Sequence, residues 1–382
     1  MYGDCYGFAI LVKGLRIVFS ASDYEYMSHA LRLAEKGLFT TSPNPRVGCV
    51  IVNDGKIVGT GWHERAGEAH AEINALREAG DLARGATVYV TLEPCSHHGH
   101  TPPCTNALIQ AEVCKVIMAM NDPNPYVNGR GKKQLQEAGI QIQAGLLANE
   151  AEQMNIGFIT RMRHGYPWVR AKVAVSLDGR TALKNGKSQW ITSEAARWDS
   201  HKWRARSCAI LTGIGSARKD DSQLTVRYIE TPRQPKRVVV DSRLEISLQA
   251  KLLQNADTTW IFTAQPDKEK INRLEDIGAH VIVLPDLIGK VDLKAMMTKL
   301  AESGINELLV EAGPILNGAL VTAGLVDEII FYFAPSLLGN SAQAMLILPE
   351  ITDLSEKYDL QITDIREIGT DIRLITRILK RS

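Results

Sequence analysis

Between residues 86 and 145 the chain reads ATVYVTL, CTNALIQAE, CKVIMAM and GRGKKQLQEAGIQIQAG. These are a buried strand, a helix, a second buried strand, and a helix stopped by glycine ahead of a third strand. Uninterrupted apolar strands are covered on both faces, and joining them in parallel takes a crossover that is usually a helix. The alternation restricts the fold to the α/β class. It resumes after RHGYPW, whose Gly165 and Pro167 read as a linker. Strands are expected there at WVRAKVAV, CAILTG, RVVVD, TTWIFTA, HVIVL, NELLVE and DEIIFYFAP. Helices are expected over SEAARWDSHKWRAR, over residues 293–301 and from Ile315. A chain of 382 residues with this pattern on both sides of a linker holds two cores.

Upstream, Asp23 is expected to cap a helix on which Met27, Ala30, Leu31 and Ala34 recur at helical spacing. VGCVIVNDGKIVGTGW reads as a hairpin turning at Asp54-Gly55. Further helices are expected over residues 69–79 and around 150–162. Residues 1–22 are expected to be an N-terminal extension, either a short extra strand or an upstream start that adds little. Its apolar stretch is interrupted by Lys13 and Arg16, the reverse of a secretory signal, so export is not expected.

Lys and Arg total 44 against 43 acidic residues, the net charge is +1, and the aromatic fraction is 6%. A nucleic-acid groove needs a basic excess and stacking aromatics, so no nucleic-acid partner is expected. No apolar run reaches the roughly 18 residues that span a bilayer, so no membrane partner is expected either. Cys5, Cys49, Cys95, Cys104, Cys114 and Cys208, without a secretory signal, point to a reducing cytoplasm and to metal ligation in place of disulfides.

His-Ala-Glu at 70–72 opens a helix, Cys95 follows a strand and Pro94, and Cys104 follows Pro103 and opens another helix. One imidazole and two thiolates give a tetrahedral zinc three ligands and leave a fourth position for water, whose pKa zinc lowers to roughly 7. Glu72 can then carry a proton from that water to a leaving amine. This is the logic of zinc nucleobase deaminases, except that eight residues separate the cysteines where two are usual. A closed structural zinc, with His97, His98 or His100 as fourth ligand, is a competing reading that leaves Glu72 without a role. A nucleic-acid-editing deaminase shares the zinc logic and conflicts with the charge balance. In the second half, LTGIGSARKDD places Arg218 where a dinucleotide fingerprint needs its third glycine. NELLVEAGPILNGALVTAGL ends a strand at Glu311 and turns into a helix whose first N–H groups suit an anion such as a cofactor diphosphate.

TSPNPRVGCVIV, HAEINAL, YVTLEPCSHHGHTPPC and NDPNPYVNGRG resemble the deaminase half of the bifunctional riboflavin-biosynthesis deaminase/reductases. KVAVSLDGRTA, SQWIT, DSQLTVR and VEAGPILNGAL resemble their reductase half. The resemblance implies a cytidine-deaminase-like three-layer domain over residues 23–165 and a dihydrofolate-reductase-like α/β domain over 166–382. It implies hydrolytic loss of an amino group, as ammonia, from a diaminopyrimidinone carrying a ribosylamino 5′-phosphate. Reduction of the ribose to a ribityl chain with NADPH is then implied. Zinc would be held by His70, Cys95 and Cys104, with Glu72 catalytic. Asn44, His63, His97, His100, Asp122 and Asn124 fall at deaminase substrate positions. Ser188, Arg204, Leu224, Arg227 and Glu311 fall at reductase substrate positions, where Arg204 and Arg227 could grip a phosphate. Lys172 joins them, and Lys172 or Asp220 could deliver the proton. Ala174, Trp190, Ser216, Asp220 and the turn Gly313, Pro314, Ile315, Leu316, Asn317, Gly318 and Ala319 fall at cofactor positions. The chain departs from the family pattern at His100, where Lys or Arg is usual, at Ser216 for Thr, and at Ser222 for Pro. A homodimer or homotetramer through the reductase halves is also implied.

Overall fold

Ser20 caps the first helix, and Asp23, the residue expected there, is its N3 partner in a capping box. The Ser20 hydroxyl accepts the Asp23 amide at 3.1 Å, and the Asp23 carboxylate accepts the Ser20 amide at 2.8 Å. The computed structural model describes residues 9–12, 15–96, 102–124 and 128–379. The chain divides into two compact units, residues 1–164 and 165–382.

In the first unit a two-stranded ribbon, β1 (Ala9–Val12) and β2 (Leu15–Val18), precedes α1 (Ala21–Glu35). Then come β3 (Gly48–Asn53), β4 (Lys56–Trp62), α2 (Ala71–Ala79), β5 (Thr87–Val90), α3 (Cys104–Gln110) and β6 (Lys115–Met118). The unit ends with α4 (Arg130–Glu137), β7 (Gln141–Ala144), α5 (Ala148–Met154) and α6 (Ile156–His164). The sheet order is β4-β3-β5-β6-β7, antiparallel through β3 and parallel from β5 to β7. Asp54 and Gly55 both take positive φ, 47° and 73°, as a tight hairpin requires.

Successive residues of β3 point to opposite faces. Val50 and Val52 pack with Met27 and Leu31 of α1, and Cys49 and Ile51 with Ala71 and Ala75 of α2. The sheet is thus covered on both sides, and burying each large apolar side chain contributes about 1.5–3 kcal/mol. The helix expected around 150–162 is two helices broken at Asn155. Its buried side chain accepts the Arg46 amide at 2.8 Å and donates to the Arg46 carbonyl at 2.9 Å, a pairing that stitches the segment to the loop before β3.

The second unit begins with β8 (Trp168–Ser176), β9 (Arg180–Ala182), α7 (Glu194–Arg206), β10 (Ala209–Gly213) and α8 (Ile214–Asp220). It continues with β11 (Lys236–Val240), β12 (Thr259–Thr263), α9 (Lys268–Asp276), β13 (His280–Val283), α10 (Leu293–Glu302), β14 (Glu307–Val310) and α11 (Pro314–Thr322). Last are β15 (Glu328–Ala334), β16 (Gln343–Ala344), β17 (Leu360–Ile368) and β18 (Asp371–Ile378). Among the described residues, nine strands form one sheet in the order β13-β12-β11-β10-β14-β8-β15-β18-β17. Strands β13 through β15 run parallel, and β18 and β17 close one edge antiparallel. Helices α10 and α11 cover one face, with Met296, Leu300 and Leu320 against Leu211, Val238 and Phe262. Helices α7, α8 and α9 cover the other, through Ala196, Ala217 and Leu274. Helices α8 and α9 and the hairpin β17–β18 lie outside the elements expected from the sequence pattern.

Candidate active sites

In the first unit His70 is the N-cap of α2, Glu72 lies in its first turn, and Cys104 opens α3. Cys95 lies on the loop beyond β5, at the carboxyl end of the parallel strands, where open α/β sheets bind ligands. Helix N-termini favour anionic ligands, and two of them meet here. His70 Nδ1 is 3.2 Å from Cys104 Sγ and 3.5 Å from Cys95 Sγ, and the Cys104 amide donates to Cys95 Sγ at 3.4 Å. The three ligand atoms lie within 4.8 Å of one another. The donor set fits zinc: one borderline nitrogen and two soft sulfurs, with a fourth tetrahedral position left for water.

Electrostatics agree with that chemistry. The hydrogen bond from the Cys104 thiol pulls Cys95 down to about 4, against its burial and with help from His70. The same hydrogen bond, together with burial, pushes Cys104 up, so the pair holds one proton that a cation would displace. Glu72 is 3% exposed and is pushed up to about 7 by burial and then by the Cys95 thiolate. A carboxyl balanced at neutral pH can both take and return a proton.

His63 and Asn44 stand beside this cluster. The His63 ring is 5.4 Å from that of His70, edge to face. Its Nδ1 lies 3.1 Å from the Ala69 carbonyl and its Nε2 3.1 Å from Asn44 Nδ2. The carbonyl fixes the tautomer: Nδ1 carries the hydrogen and Nε2 accepts from Asn44. Burial lowers the His63 pKa, which keeps the ring neutral for that role. Asp122 is buried on the loop after β6, and its Oδ1 accepts the Asn124 amide at 2.8 Å. His97 and His100 lie outside the described residues.

In the second unit the candidate residues gather at the carboxyl ends of β8, β10 and β14. Lys172 and Ala174 share the face of β8 opposite Ala171 and Val173 of the core. Glu311 follows β14 and binds Arg204 of α7 through two hydrogen bonds, at 2.6 and 2.8 Å. Lys172 Nζ is 3.4 Å from the same carboxylate. Burial opposes ionisation of Glu311, and the charges of Arg204 and then Lys172 overcome it, holding the carboxyl well below its usual range. Arg204 also donates to the Thr225 carbonyl at 2.9 Å. Leu224 is buried with φ 51°, so it can present backbone to a ligand and not its side chain. The Arg227 amide donates to His201 Nδ1 at 3.1 Å. Ser188 is half-buried.

The cofactor positions flank two adjacent strand-to-helix turns. Gly313 caps α11 without a side-chain hydrogen bond, Pro314 opens the helix, and Ile315 is exposed. A Cβ on Gly313 would lie 3.2 Å from Ser216 Oγ of α8, so the two turns touch, and Leu316 packs beside Gly213. Asn317 turns inward and donates to the Ala312 carbonyl at 3.0 Å, while its buried Oδ1 has no hydrogen-bond partner. A Cβ on Gly318 would collide with the Ile347 carbonyl, so this glycine seats the 345–349 segment on α11. Ala319 continues the helix. The free backbone donors at the start of α11 fit a phosphate-bearing cofactor. Trp190 is 69% exposed with the Arg197 guanidinium 4.5 Å from its ring centroid, and Asp220 is exposed at the end of α8.

Two residues with clear structural roles have almost no signal in the sequence. Glu93 is buried two residues before Cys95, and only that adjacency marks it. His201 lies mid-helix, where nothing but the fold brings it to Arg227.

Two family models match the chain: "Cytidine and deoxycytidylate deaminase zinc-binding region" over residues 20–120 and "RibD C-terminal domain" over residues 167–374. The chain is 48% identical over 364 residues to the riboflavin biosynthesis protein RibD of Escherichia coli, spanning 92% of this chain and 98% of that one. A solved structure of Acinetobacter baumannii RibD superposes with a TM-score of 0.88 at 42% identity, covering 94% of this chain and 99% of that one. A diaminohydroxyphosphoribosylaminopyrimidine deaminase/5-amino-6-(5-phosphoribosylamino)uracil reductase from Thermotoga maritima superposes with a TM-score of 0.84 at 31% identity, with coverage of 94% and 99%.

Proposed function

The chain belongs to the RibD family, bifunctional enzymes of riboflavin biosynthesis that join a zinc deaminase to an NADPH-using reductase, and from that premise we propose which substrates and residues its two reactions use. The deaminase is residues 23–165, the reductase 166–382, and 1–22 an extension. The first substrate is a diaminopyrimidinone carrying a ribosylamino 5′-phosphate, which loses its 2-amino group as ammonia. The observation that carries this reading is Glu72, buried in the first turn of the helix that His70 caps, beside the His70, Cys95 and Cys104 cluster.

Zinc on those three residues supplies Lewis acidity and a seat for the attacking water. Glu72 takes a proton from the water and returns it to the departing amine. Asn44, held by neutral His63, offers the pyrimidine a fixed hydrogen-bonding edge. Asp122 and Asn124 are further substrate contacts in this reading, as are His97 and His100 by their sequence positions, and His100 stands where the family's Lys or Arg would meet the phosphate.

The deaminated product is the substrate of the second unit, where NADPH supplies a hydride to C1′ of the opened ribose. Ala174, Trp190, Ser216, Asp220 and residues 313–319 hold the cofactor. Lys172, Ser188, Leu224, Arg227 and Glu311 hold the substrate. Arg204 joins them: Glu311 and the Thr225 carbonyl take three of its five N–H donors, and the rest, with Arg227, can grip the phosphate. Lys172, beside Glu311, is better placed than exposed Asp220 to deliver the proton.

The enzyme is a cytoplasmic homodimer or homotetramer built through its reductase units. Free thiols at the metal cluster support the compartment. Among the described residues, no helix is long and apolar enough to cross a membrane. Strand β17 supports the assembly: it is a sheet edge with Leu360, Ile362 and Ile365 exposed, which a second copy would cover.

The deciding experiment follows ammonia from the diaminopyrimidinone ribotide with and without NADPH, with Glu72→Ala as control. Ammonia without NADPH, absent in the variant, and NADPH oxidation that starts only after deamination are expected. Zinc-loaded protein that releases no ammonia would refute the deaminase assignment.

A further inference from the structure

Glu93 takes no part in the chemistry described so far, yet it is a buried carboxylate wholly committed to another segment's backbone. Its Oε2 accepts the amides of Asp122 at 3.1 Å and Gly129 at 3.0 Å, and its Oε1 accepts the amide of Lys132 at 3.1 Å. Helix α4 has Gly129 as its N-cap, with no side chain to satisfy the first amides, and Glu93 fills that role from a distant element. A Cβ on Gly131 would collide with the Pro94 carbonyl, so the first turn of α4 sits directly on Glu93-Pro94. Cys95 comes next in the chain.

The connection closes into a ring. Gln134 of α4 accepts the Thr105 hydroxyl at 2.8 Å and donates to Asn106 at 2.7 Å, both on the helix that Cys104 opens. The Thr105 amide donates to the Cys95 carbonyl at 3.2 Å, with the Thr105 hydroxyl oxygen at the same distance from it. One rigid unit therefore contains both cysteine ligands, α4 and the backbone of Asp122.

We propose that Glu93 is a positioning residue of the deaminase: it sets the backbone of Asp122 and the start of α4 against the Cys95–Cys104 cluster, and so places Asp122, a proposed substrate contact, without itself touching substrate. This rests on the deaminase reading above. A carboxylate is required because both oxygens face N–H donors. A glutamine of the same size would turn an NH2 toward at least one of them.

The test uses the zinc-loaded full chain, wild type and Glu93→Gln. Steady-state ammonia release should show KM raised about tenfold or more with kcat within about threefold, the signature of lost substrate placement. Zinc content should stay at the wild-type level, and NADPH oxidation on the deaminated substrate should be unchanged. Amide hydrogen exchange, a readout independent of turnover, should become at least about tenfold faster at Asp122, Gly129 and Lys132. Unchanged exchange at those amides, or a fall in kcat and zinc content with KM held, overturns the proposal. If Glu93→Gln does not fold, Gly131→Ala lifts α4 from Pro94 without altering the carboxylate. It should give the same rise in KM, and a wild-type KM in that variant counts against the proposal. A wild-type chain that releases no ammonia refutes the deaminase reading itself, a result distinct from any exchange outcome.

Discussion

Arg204 and Glu311, 107 residues apart in sequence, meet through two hydrogen bonds of 2.6 and 2.8 Å at the carboxyl end of β14. The pair is nearly dry, with side chains 11% and 9% exposed, and Lys172 adds a second cation 3.4 Å from the carboxylate. Removing one member of such a cluster strands the others as uncompensated charge. Glu311→Gln should therefore destabilise the chain by about 3 kcal/mol in denaturant unfolding. It should also lower NADPH oxidation, because Arg204 and Lys172 lose their anchor. The depressed Glu311 pKa has its own sign: the stabilisation is present above the ordinary glutamate range and is lost as pH falls below it. A variant as stable as wild type would show that the ion cluster contributes nothing net.

The metal cluster and the reductase share no ligand. Stripping zinc with a chelator should abolish ammonia release and leave NADPH oxidation on the deaminated substrate intact. Glu72→Gln should act differently, keeping zinc while cutting ammonia release by about 100-fold or more. Metal analysis beside both assays separates the two. Loss of zinc in Glu72→Gln would make this residue a structural support and not a proton carrier.

What the sequence revealed and what it concealed divide along physical lines. His70, Glu72, Cys95 and Cys104 were legible because each sits at an element end marked by its own local signal, a helix start or a proline. The Arg204–Glu311 pair was not legible, because the two are remote in sequence; only the parallel pairing of β10 with β14 brings that strand end beside α7. The break at Asn155 was hidden for a similar reason, since the Arg46 backbone that captures its side chain comes from the other end of the unit. Strand β17 escaped because nearly all its side chains are exposed, so it lacks the in-and-out alternation by which a half-buried strand is recognised. The α/β class survived all these omissions, because it rests on the fully buried strands, whose apolar runs need no partner to be read.

Strand β17 leaves one side of its backbone ladder unpaired, and Ile362 and Ile365 are 57% and 61% exposed. Exposed apolar edges of this kind invite association. Ile365→Lys should shift the chain toward monomer in sedimentation velocity, with ammonia release retained, since the deaminase residues lie in the other unit. A wild-type chain that sediments as a monomer at micromolar concentration would refute assembly through this edge.

His201 is 3% exposed, packs edge to face on Tyr228 with centroids 4.5 Å apart, and uses Nδ1 to accept the Arg227 amide. Burial, then the charges of Arg204 and Arg227, push its pKa down to about 4, from an ordinary value of 6.5. The folded state therefore keeps the ring neutral in a range where the unfolded chain protonates it. Stability should be complete above 6.5, fall as pH drops below it, and level off below about 4, where both states are protonated. Glu311 acts in the same direction but only below the ordinary glutamate range; Glu72 and His63 also titrate differently on folding, so the histidine is isolated by the difference between wild type and a variant between pH 7 and about 5. His201→Gln keeps an acceptor for the Arg227 amide and removes the titration. Its unfolding midpoint should fall less than that of wild type across this window. Identical pH profiles for the two proteins would show that the imidazole is not held neutral by this fold.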